Sequence, residues 1–380
     1  MGVRRLLPLL LVAAVACSQA TSTSSPTPGP TSPSKGLMFA VLEARGPITE
    51  TVALVGLDGL ERARTTFKPV FLPRITCLGT TLPPTAFVAA GEVFFLDGNG
   101  LLRSLSTTGQ VKTITSFSLS SRQLPSFAVS PDGSHLVASI LTVPPVTASG
   151  EVCGSQPHYT GSFSLDIFSA AAGGSPRLLQ HQTLQEGQLH RACILEFVGW
   201  NLLGPIASYP TCLGPGGGPA HYLGPAVRVD AATGQILEQI ADPQSCQVED
   251  IAMSGDFVCN PVTPSTACCG TGDVSVRRPD GSEIWRFTAQ PNKGLDYAFI
   301  SPDEKHVLGG AFQPEVVGRD GSDVRLVEAH YDQVFFFGWL DSLTVVGNGP
   351  NGNLSYVSLK SPATLVDLGF QAQFVGPISG

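Results

Sequence analysis

The sequence predicts an all-β protein in which short strands repeat as the blades of a β-propeller. Glycine and proline are abundant, with 42 and 31 residues among 380, and no helical periodicity is found from Gly36 onward. Turn signals recur about every 50 residues, close to the length of a propeller blade, about 40 to 50 residues. They are Asp58-Gly59, Thr108-Gly109, Gly173-Gly174, Thr233-Gly234, Asp280-Gly281, Asp320-Gly321 and Ser361-Pro362.

The strand pattern predicts seven four-stranded blades. The N-terminal segment 37–67 holds only three strands, and Phe370–Val375 near the C-terminus supplies the fourth. Closing one blade with a strand from each terminus leaves no exposed edge. A misread loop would change the count to six or eight. The six segments that each hold four predicted strands are 85–117, 124–182, 195–241, 247–288, 295–328 and 332–368.

Two segments carry a motif with a known family likeness. Residues 127–138 read F-A-V-S-P-D-G-S-H-L-V-A, and residues 298–308 repeat the motif with Glu304 in place of its glycine. This motif resembles the SPDG repeat of TolB-like and WD40-like bacterial propellers. Residues 229–236 and 278–285 resemble the unit of third strand, turn and fourth strand in quinoprotein-like propellers. The resemblance covers most of residues 37–378. It implies a fold but no particular function, because one fold hosts many functions.

The N-terminus predicts export and lipid attachment. Residues 1–16 combine a basic start with an apolar run too short to cross a bilayer, as in a signal peptide. The sequence A-V-A-C at 14–17 resembles the lipobox of bacterial lipoproteins, which implies a diacylated Cys17. Residues 17–35 then form a Ser/Thr/Pro-rich tether, and 36–380 form the propeller domain. We expect a chain outside the cytoplasm, anchored by lipid to a membrane. The alternative is an ordinary cleaved signal and a secreted or periplasmic protein.

Cysteine usage supports the same compartment. Eight cysteines remain once Cys17 is assigned to lipid, and an even number in an exported chain favours disulfides. Zinc is the competing interpretation, but the sequence has no C-x-x-C pair. No metal site is predicted. The disulfide candidates are Cys77, Cys153, Cys193, Cys212, Cys246, Cys259, Cys268 and Cys269.

Three long connections predict one functional face. The loops between second and third strands run about 141–161, 208–224 and 260–272 in three consecutive blades. Cys153, Cys212, Cys268 and Cys269 fall in these loops, and Cys259 lies at the mouth of the third. Cys77, Cys193 and Cys246 are expected in connections between blades at the same face. In the alternative view the bridges only protect the loops from fraying and proteolysis. The polar residues predicted to bind are His158, Tyr159, His190, Arg191, Tyr209, His221 and Tyr222.

Several function classes receive no support. The formal net charge of −8 disfavours nucleic acid. The chain has no G-x-S-x-G or H-E-x-x-H motif, and Glu249 and Asp250, adjacent in a strand, are expected to point to opposite faces. Aspartates 132, 280, 303 and 320 are expected to cap turns. A disulfide between Cys268 and Cys269 stacked on a quinone is a minor alternative; no cofactor is predicted.

The sequence therefore predicts a lipid-anchored, extracytoplasmic propeller that acts as a non-catalytic binding or scaffold module. Its partner would be an envelope protein or a glycan, and its membrane contact would be the N-terminal lipid alone. The alternative is an extracytoplasmic enzyme of lactonase, glycosidase or quinoprotein type with a site at the propeller axis. That alternative needs acids or metal ligands from several blades, and no such constellation is found.

Overall fold

A computed structural model shows seven antiparallel sheets of four strands among its described residues. These sheets confirm the prediction of seven four-stranded blades. No helix long and apolar enough to cross a membrane occurs in this part of the chain. The structure describes residues 36–44, 49–70, 85–145, 162–184, 195–208, 226–261, 273–288, 298–309, 314–325, 335–360 and 364–378.

Each blade orders its strands a, b, c and d from the propeller axis outward. Blade 1 takes its a strand from the C-terminus. It consists of β28 (Gln373–Ile378), β1 (Met38–Ala44), β2 (Glu50–Gly56) and β3 (Glu61–Phe67). Blades 2 and 3 follow the chain. They comprise β4 (Ala86–Ala89), β5 (Glu92–Leu96), β6 (Leu101–Leu105) and β7 (Val111–Ser116), then β8 (Gln123–Val129), β9 (His135–Thr142), β10 (Phe163–Ala171) and β11 (Arg177–Leu184).

The other four blades repeat this order. Blade 4 is β12 (Glu196–Asn201), β13 (Gly204–Ser208), β14 (Ala226–Val229) and β15 (Ile236–Gln239). Blade 5 is β16 (Cys246–Ile251), β17 (Phe257–Pro261), β18 (Asp273–Arg277) and β19 (Glu283–Thr288). Blade 6 is β20 (Phe299–Ile300), β21 (His306–Gly309), β22 (Glu315–Gly318) and β23 (Asp323–Arg325). Blade 7 is β24 (Phe335–Asp341), β25 (Thr344–Asn348), β26 (Leu354–Ser358) and β27 (Leu365–Asp367).

The closure of blade 1 by both termini is confirmed, with a shift of its strand along the sequence. β28 pairs with β1 so that Ile378 lies opposite Met38. The predicted strand at Phe370–Val375 begins three residues too early. The carbonyl of Phe370 accepts a hydrogen bond from the backbone N–H of Leu354 at 2.8 Å, so that residue continues the edge of blade 7 instead.

The hydrophobic core is divided between the blades. Seven clusters of buried side chains occur in the described residues, and each fills the space between two neighbouring blades. In β9, Val137 and Leu141 face blade 4, whereas Leu136 and Ile140 face blade 2. This alternation follows from the two-residue period of a strand, and it explains why both faces of the inner strands are apolar.

The two ends of the ring differ in their connections. One end carries the a–b and c–d turns, and we call it the turn face. The other end carries the b–c and d–a connections, and we call it the loop face. Neighbouring a–b turns contact each other: the N–H of Ala90 donates to the carbonyl of Pro131 at 3.1 Å, and the N–H of Leu202 donates to that of Met253 at 3.0 Å.

Short capped turns close the turn face. Asp132 Oδ1 accepts the N–H of Ser134 at 3.0 Å, and Asp280 Oδ1 accepts that of Ser282 at 2.8 Å. Asp303 and Asp320 accept the N–H two residues on in the same way, so the prediction of capping aspartates is confirmed. Glu304 takes the place of Gly133 in the second SPDG turn and adopts its left-handed backbone, with φ of 59° against 71°.

Candidate functional site at the loop face

The seven polar loop residues predicted to bind lie outside the described residues. This applies to His158, Tyr159, His190, Arg191, Tyr209, His221 and Tyr222. Cys17 and the disulfide candidates Cys77, Cys153, Cys193, Cys212, Cys268 and Cys269 lie outside them as well. The structure does describe the strand ends from which these loops depart. Those strand ends carry a second set of polar side chains, which the sequence analysis did not select.

Two of the predicted cysteines form a disulfide inside a blade. Cys246 and Cys259 are bridged across β16 and β17, with Cα atoms 5.4 Å apart. Both are buried, in the cluster between blades 4 and 5 that also holds Val248 and Phe257. The expectation that they lie in a connection between blades and at a loop mouth is wrong, because both belong to strands. Closing a loop of this size stabilises a fold by about 3 kcal/mol.

Blade 4 contributes a buried carboxyl at its loop-side end. Glu196 begins β12 and lies opposite Ser208, the last residue of β13. Glu196 is only 3% exposed, and burial raises its pKa to about 8. Neither its Oε1 nor Ser208 Oγ has a hydrogen-bond partner among the described residues. At neutral pH the carboxyl is therefore mostly protonated, and it presents a hydrogen-bonding group next to two connecting loops.

Blade 5 holds a second carboxyl, which a β-bulge positions. The register of β16 against β17 skips Glu249, so this residue is the extra one in its strand. The amides of Gln247 and Asn260 donate to Glu249 Oε1 at 3.1 and 3.3 Å. The same bulge recurs in blades 1, 4 and 7, where the extra residues are Val375, Val198 and Phe337. Among these four bulges only blade 5 places a carboxylate.

Asp250 follows the bulge and joins two blades. Its Oδ2 accepts the backbone N–H of Ile300 in blade 6 at 2.9 Å, and its Oδ1 accepts that of Ile251 at 2.9 Å. Desolvation raises the pKa of Asp250 to about 6, although both hydrogen bonds lower it. The corresponding positions in blades 1, 4 and 7 are glycines: Gly376, Gly199 and Gly338.

The expectation that Glu249 and Asp250 point to opposite faces is wrong. Val258, opposite Asp250, belongs to the cluster between blades 5 and 6, and Asn260 lies two residues further along the same face. Glu249 bonds to Asn260 and Asp250 bonds to blade 6, so both carboxylates lie on this side of the blade. The bulge causes this, because an extra residue breaks the strict alternation of side chains.

Blade 6 adds a third buried acid at the loop-side end. Glu315 begins β22, is 5% exposed and lies opposite Gly309. It shares a face of the blade with Val307, which packs in the cluster between blades 5 and 6. Buried acids therefore lie at the loop-side ends of blades 4 and 6. Between these blades, Glu249 lies in the second half of β16 and accepts hydrogen bonds from Gln247 and Asn260. No group of three His, Cys, Asp or Glu side chains arranged to hold a metal ion occurs in the part of the chain that the structure describes.

Five of the ten buried side-chain atoms without a hydrogen-bond partner in the described residues lie at the same end of the propeller. Besides Glu196 and Ser208, they include Asn260 Oδ1, Asn348 Oδ1 and Glu50 Oε2 when partners are sought among the described residues. These residues end b strands or begin a or c strands, which places all of them at the loop face. Four of the five atoms are carboxyl or amide oxygens. Such a surface is suited to ligands that supply N–H or O–H donors.

One sequence signal points to the blade 5 acids. The inner strands of blades 4 and 7 read F-V-G-W at 197–200 and F-F-G-W at 336–339, whereas the matching positions of blade 5 read V-E-D-I. Two acids thus replace an apolar residue and a glycine in a repeated pattern. The pattern alone does not reveal the bulge that brings both to one side.

Comparison with known proteins shows distant structural likenesses. No protein-family model matches the chain, and no curated protein matches it. The chain is similar to a solved oligogalacturonate lyase in complex with manganese (TM-score 0.46, 10% identity, covering 86% of this chain and 83% of that one). It is similar to an oligogalacturonate lyase from Vibrio parahaemolyticus (0.46, 10%, 89% and 90%) and to a Dos1 propeller (0.42, 13%, 88% and 86%). These likenesses concern the fold alone, and the strand pairing identifies the chain as a seven-bladed β-propeller.

Proposed function

We propose that this chain is an extracytoplasmic, lipid-anchored propeller that binds an envelope protein or a glycan at its loop face and catalyses no reaction. The observation that carries the proposal is the set of buried polar atoms at the loop-side strand ends. Glu196 Oε1, Ser208 Oγ and Asn260 Oδ1 lack partners among the described residues. A buried polar group without a partner costs about 1–3 kcal/mol, so a fold retains several at one end when loops or a ligand complete them.

The chemistry of these atoms limits the ligand. Most are acceptor oxygens, and a protonated Glu196 adds one donor. A sugar offers hydroxyl groups that both donate and accept, and a protein offers amide, ammonium or guanidinium donors. The predicted loop residues His190, Arg191, His221 and Tyr222 would add aromatic and cationic contacts around them. The proposed ligand is therefore a glycan or a donor-rich protein surface.

The proposed extracytoplasmic location and lipid anchor rest on the sequence. One structural feature supports the location. The signal peptide at 1–16 and the lipid on Cys17 are predictions from residue type and order. The Cys246–Cys259 disulfide is typical of a chain that folds in an oxidising compartment. Export would account for both the predicted leader and the disulfide.

A second candidate is an enzyme whose site uses the acids of blades 4 and 5. Burial raises the pKa of Glu196 to about 8 and that of Asp250 to about 6, and carboxyls with raised pKa values serve as general acids in many enzymes. Against this role, both oxygens of Asp250 accept backbone N–H groups, so a structural role accounts for this residue. We therefore favour binding without catalysis.

Capture from the native envelope tests the proposal. The full chain is used as bait against solubilised envelope proteins and against cell-wall glycan fragments. The variant His190→Ala/Arg191→Ala/His221→Ala/Tyr222→Ala is expected to lose the captured partner, because it removes aromatic and cationic contacts from the loop face. The control is Asp280→Asn on the turn face, which should capture as the wild type does. Unchanged capture by the quadruple variant would contradict the assignment of the loop face.

A further inference from the structure

Exposed apolar side chains concentrate at the turn face. Nine large apolar side chains are strongly exposed among the described residues, and eight of them lie in a–b or c–d turns or in the first two residues of a d strand. The ninth, Phe335, begins an a strand at the loop face. The described part of the propeller thus has polar groups at one end and apolar groups at the other.

The a–b turns of blades 4 and 5 form the main apolar patch. Leu202, Leu203 and Met253 are 73%, 42% and 52% exposed. The N–H of Leu202 donates to the carbonyl of Met253 at 3.0 Å, so the two turns lie side by side. The N–H of Leu203 donates to Asn201 Oδ1 at 2.9 Å, which fixes the turn from within. The a–b turns of blades 3 and 6 use Ser, Pro and Asp instead, so an a–b turn of this propeller does not require two leucines.

The chain enters the propeller at the same face. β1 begins at Met38, which lies opposite Ile378 at the turn-side end of blade 1. The predicted tether 17–35 and Cys17, the predicted lipid attachment site, precede this strand in the sequence. An exposed leucine, Leu60, lies in the neighbouring c–d turn of blade 1.

We infer that the turn face rests on a lipid surface, with Leu202, Leu203 and Met253 in contact with the headgroup region. The loop face then points away from the membrane, toward its ligand. This inference rests on the proposed function, since lipid on Cys17 would hold the chain at the membrane. Three side chains bind a bilayer weakly on their own, but a tether keeps them at high local concentration. The patch therefore sets the orientation of the propeller, and the lipid provides the attachment.

The charge around the patch limits the kind of lipid. The turn face carries both signs of charge near the patch: Asp256 in the a–b turn of blade 5 interacts with Arg278 and Arg319 in c–d turns, and Lys305 lies beside Asp303. Such a mixed surface does not select anionic headgroups. Zwitterionic headgroups fit better, because they carry no net charge.

Hydrogen exchange on vesicles tests the inference. The full chain carrying Cys17→Ser, which cannot be acylated, is mixed with phosphatidylcholine vesicles, so the patch is measured without the anchor. We expect slower exchange in the turns 201–204 and 252–256 on addition of vesicles. The variant Leu202→Ser/Leu203→Ser/Met253→Ser should lose this protection and co-sediment with vesicles about tenfold less. Phe335→Ser is the matched control at the loop face and should behave like the parent chain.

The outcomes separate this inference from the proposed function. Absence of vesicle-dependent protection, or equal co-sedimentation of the triple variant, overturns the lipid contact. Protection that rises with protein concentration without vesicles assigns the patch to a second copy of the chain and also overturns it. Intact-mass analysis of the unmodified chain reports lipid on Cys17 separately. A chain without lipid would contradict the proposed anchor and leave the vesicle result for the patch valid.

Discussion

Glu196 is an ionisable carboxyl group in a buried position. It begins an inner strand, is almost fully buried, and lies opposite Ser208 in the strand register. Burial disfavours its charged form, and this raises its pKa to about 8 from the usual 4.5. In the proposed function, this position provides a hydrogen-bonding group to a ligand at the loop face.

The raised pKa predicts a stability that depends on pH. The folded state holds a proton that the unfolded state releases above about pH 4.5, so stability is highest below that pH and falls as pH rises toward 8. The expected loss between pH 5 and pH 8 is roughly 3 kcal/mol. Glu196→Gln cannot ionise and should abolish most of this slope in urea unfolding at the two pH values. Glu61→Gln, at an exposed acid, is the control. An equal slope in wild type and Glu196→Gln would show that the carboxyl is not the source.

Some residue roles follow from the sequence and others do not. The capping aspartates follow, because Asp in an SPDG turn accepts the N–H two residues on whatever surrounds the turn. The partners of Cys246 and Cys259 do not follow, because the connectivity of eight cysteines is not encoded in their order. Their pairing depends on the register of β16 and β17, which is a property of the folded sheet.

At the scale of single elements, strands and turns were predicted better than irregularities within strands. The three strands predicted within 37–67 occur there as β1, β2 and β3, because apolar alternation and Gly turns mark strand limits. The bulge at Glu249 was not predicted. A bulge changes the side to which a residue points and depends on pairing with the neighbouring strand.

The SPDG turn of blade 3 supports a test on an element. Gly133 has φ of 71°, and a Cβ there would lie 3.1 Å from the Cβ of Ala90 in blade 2. Gly281 has φ of 82°, with no atom within 4 Å of such a Cβ. Gly281→Ala should cost about 1 kcal/mol from backbone strain, and Gly133→Ala should cost about 2 kcal/mol because contact with Ala90 adds to it. Thermal unfolding measures both. Equal losses would indicate that the contact between turns contributes nothing.

At the scale of the molecule, the propeller depends on closure by its two termini. β28 contacts β1 in its own blade, β4 in blade 2 and β24 in blade 7. The ring centroid of Phe374 lies 6.1 Å from that of Phe39 and 6.2 Å from that of Phe337. Without this strand the inner edge of blade 1 is open, and buried residues of two interblade clusters become exposed.

Truncation after Ala372 therefore predicts loss of the closed fold. The shortened chain should aggregate or lose its cooperative urea transition, whereas a chain ending at Ile378 should unfold as the full chain does. Size-exclusion chromatography and circular dichroism distinguish these results. A monomeric truncated chain with a sharp transition at the same urea concentration would contradict the role of β28.

The described residues form a propeller with a capped, partly apolar turn face and polar strand ends at its loop face. The sequence predicted the propeller, because its repeated pattern of strands and turns can be recognised without knowing the ligand. It predicted the loop face as the functional end from the length of the connections. It did not select Glu196, Glu249 or Glu315 as candidates, because their burial depends on how the strands of three neighbouring blades pack together.

The most direct test of the binding face is hydrogen exchange of the full chain with and without the partner captured from the envelope. Binding at the loop face predicts slower exchange at the loop-side strand ends 196–198, 206–208 and 258–261, and unchanged exchange in the turns 130–134 and 278–282. Protection confined to the turn face, with no change at the loop-side strand ends, would contradict the account.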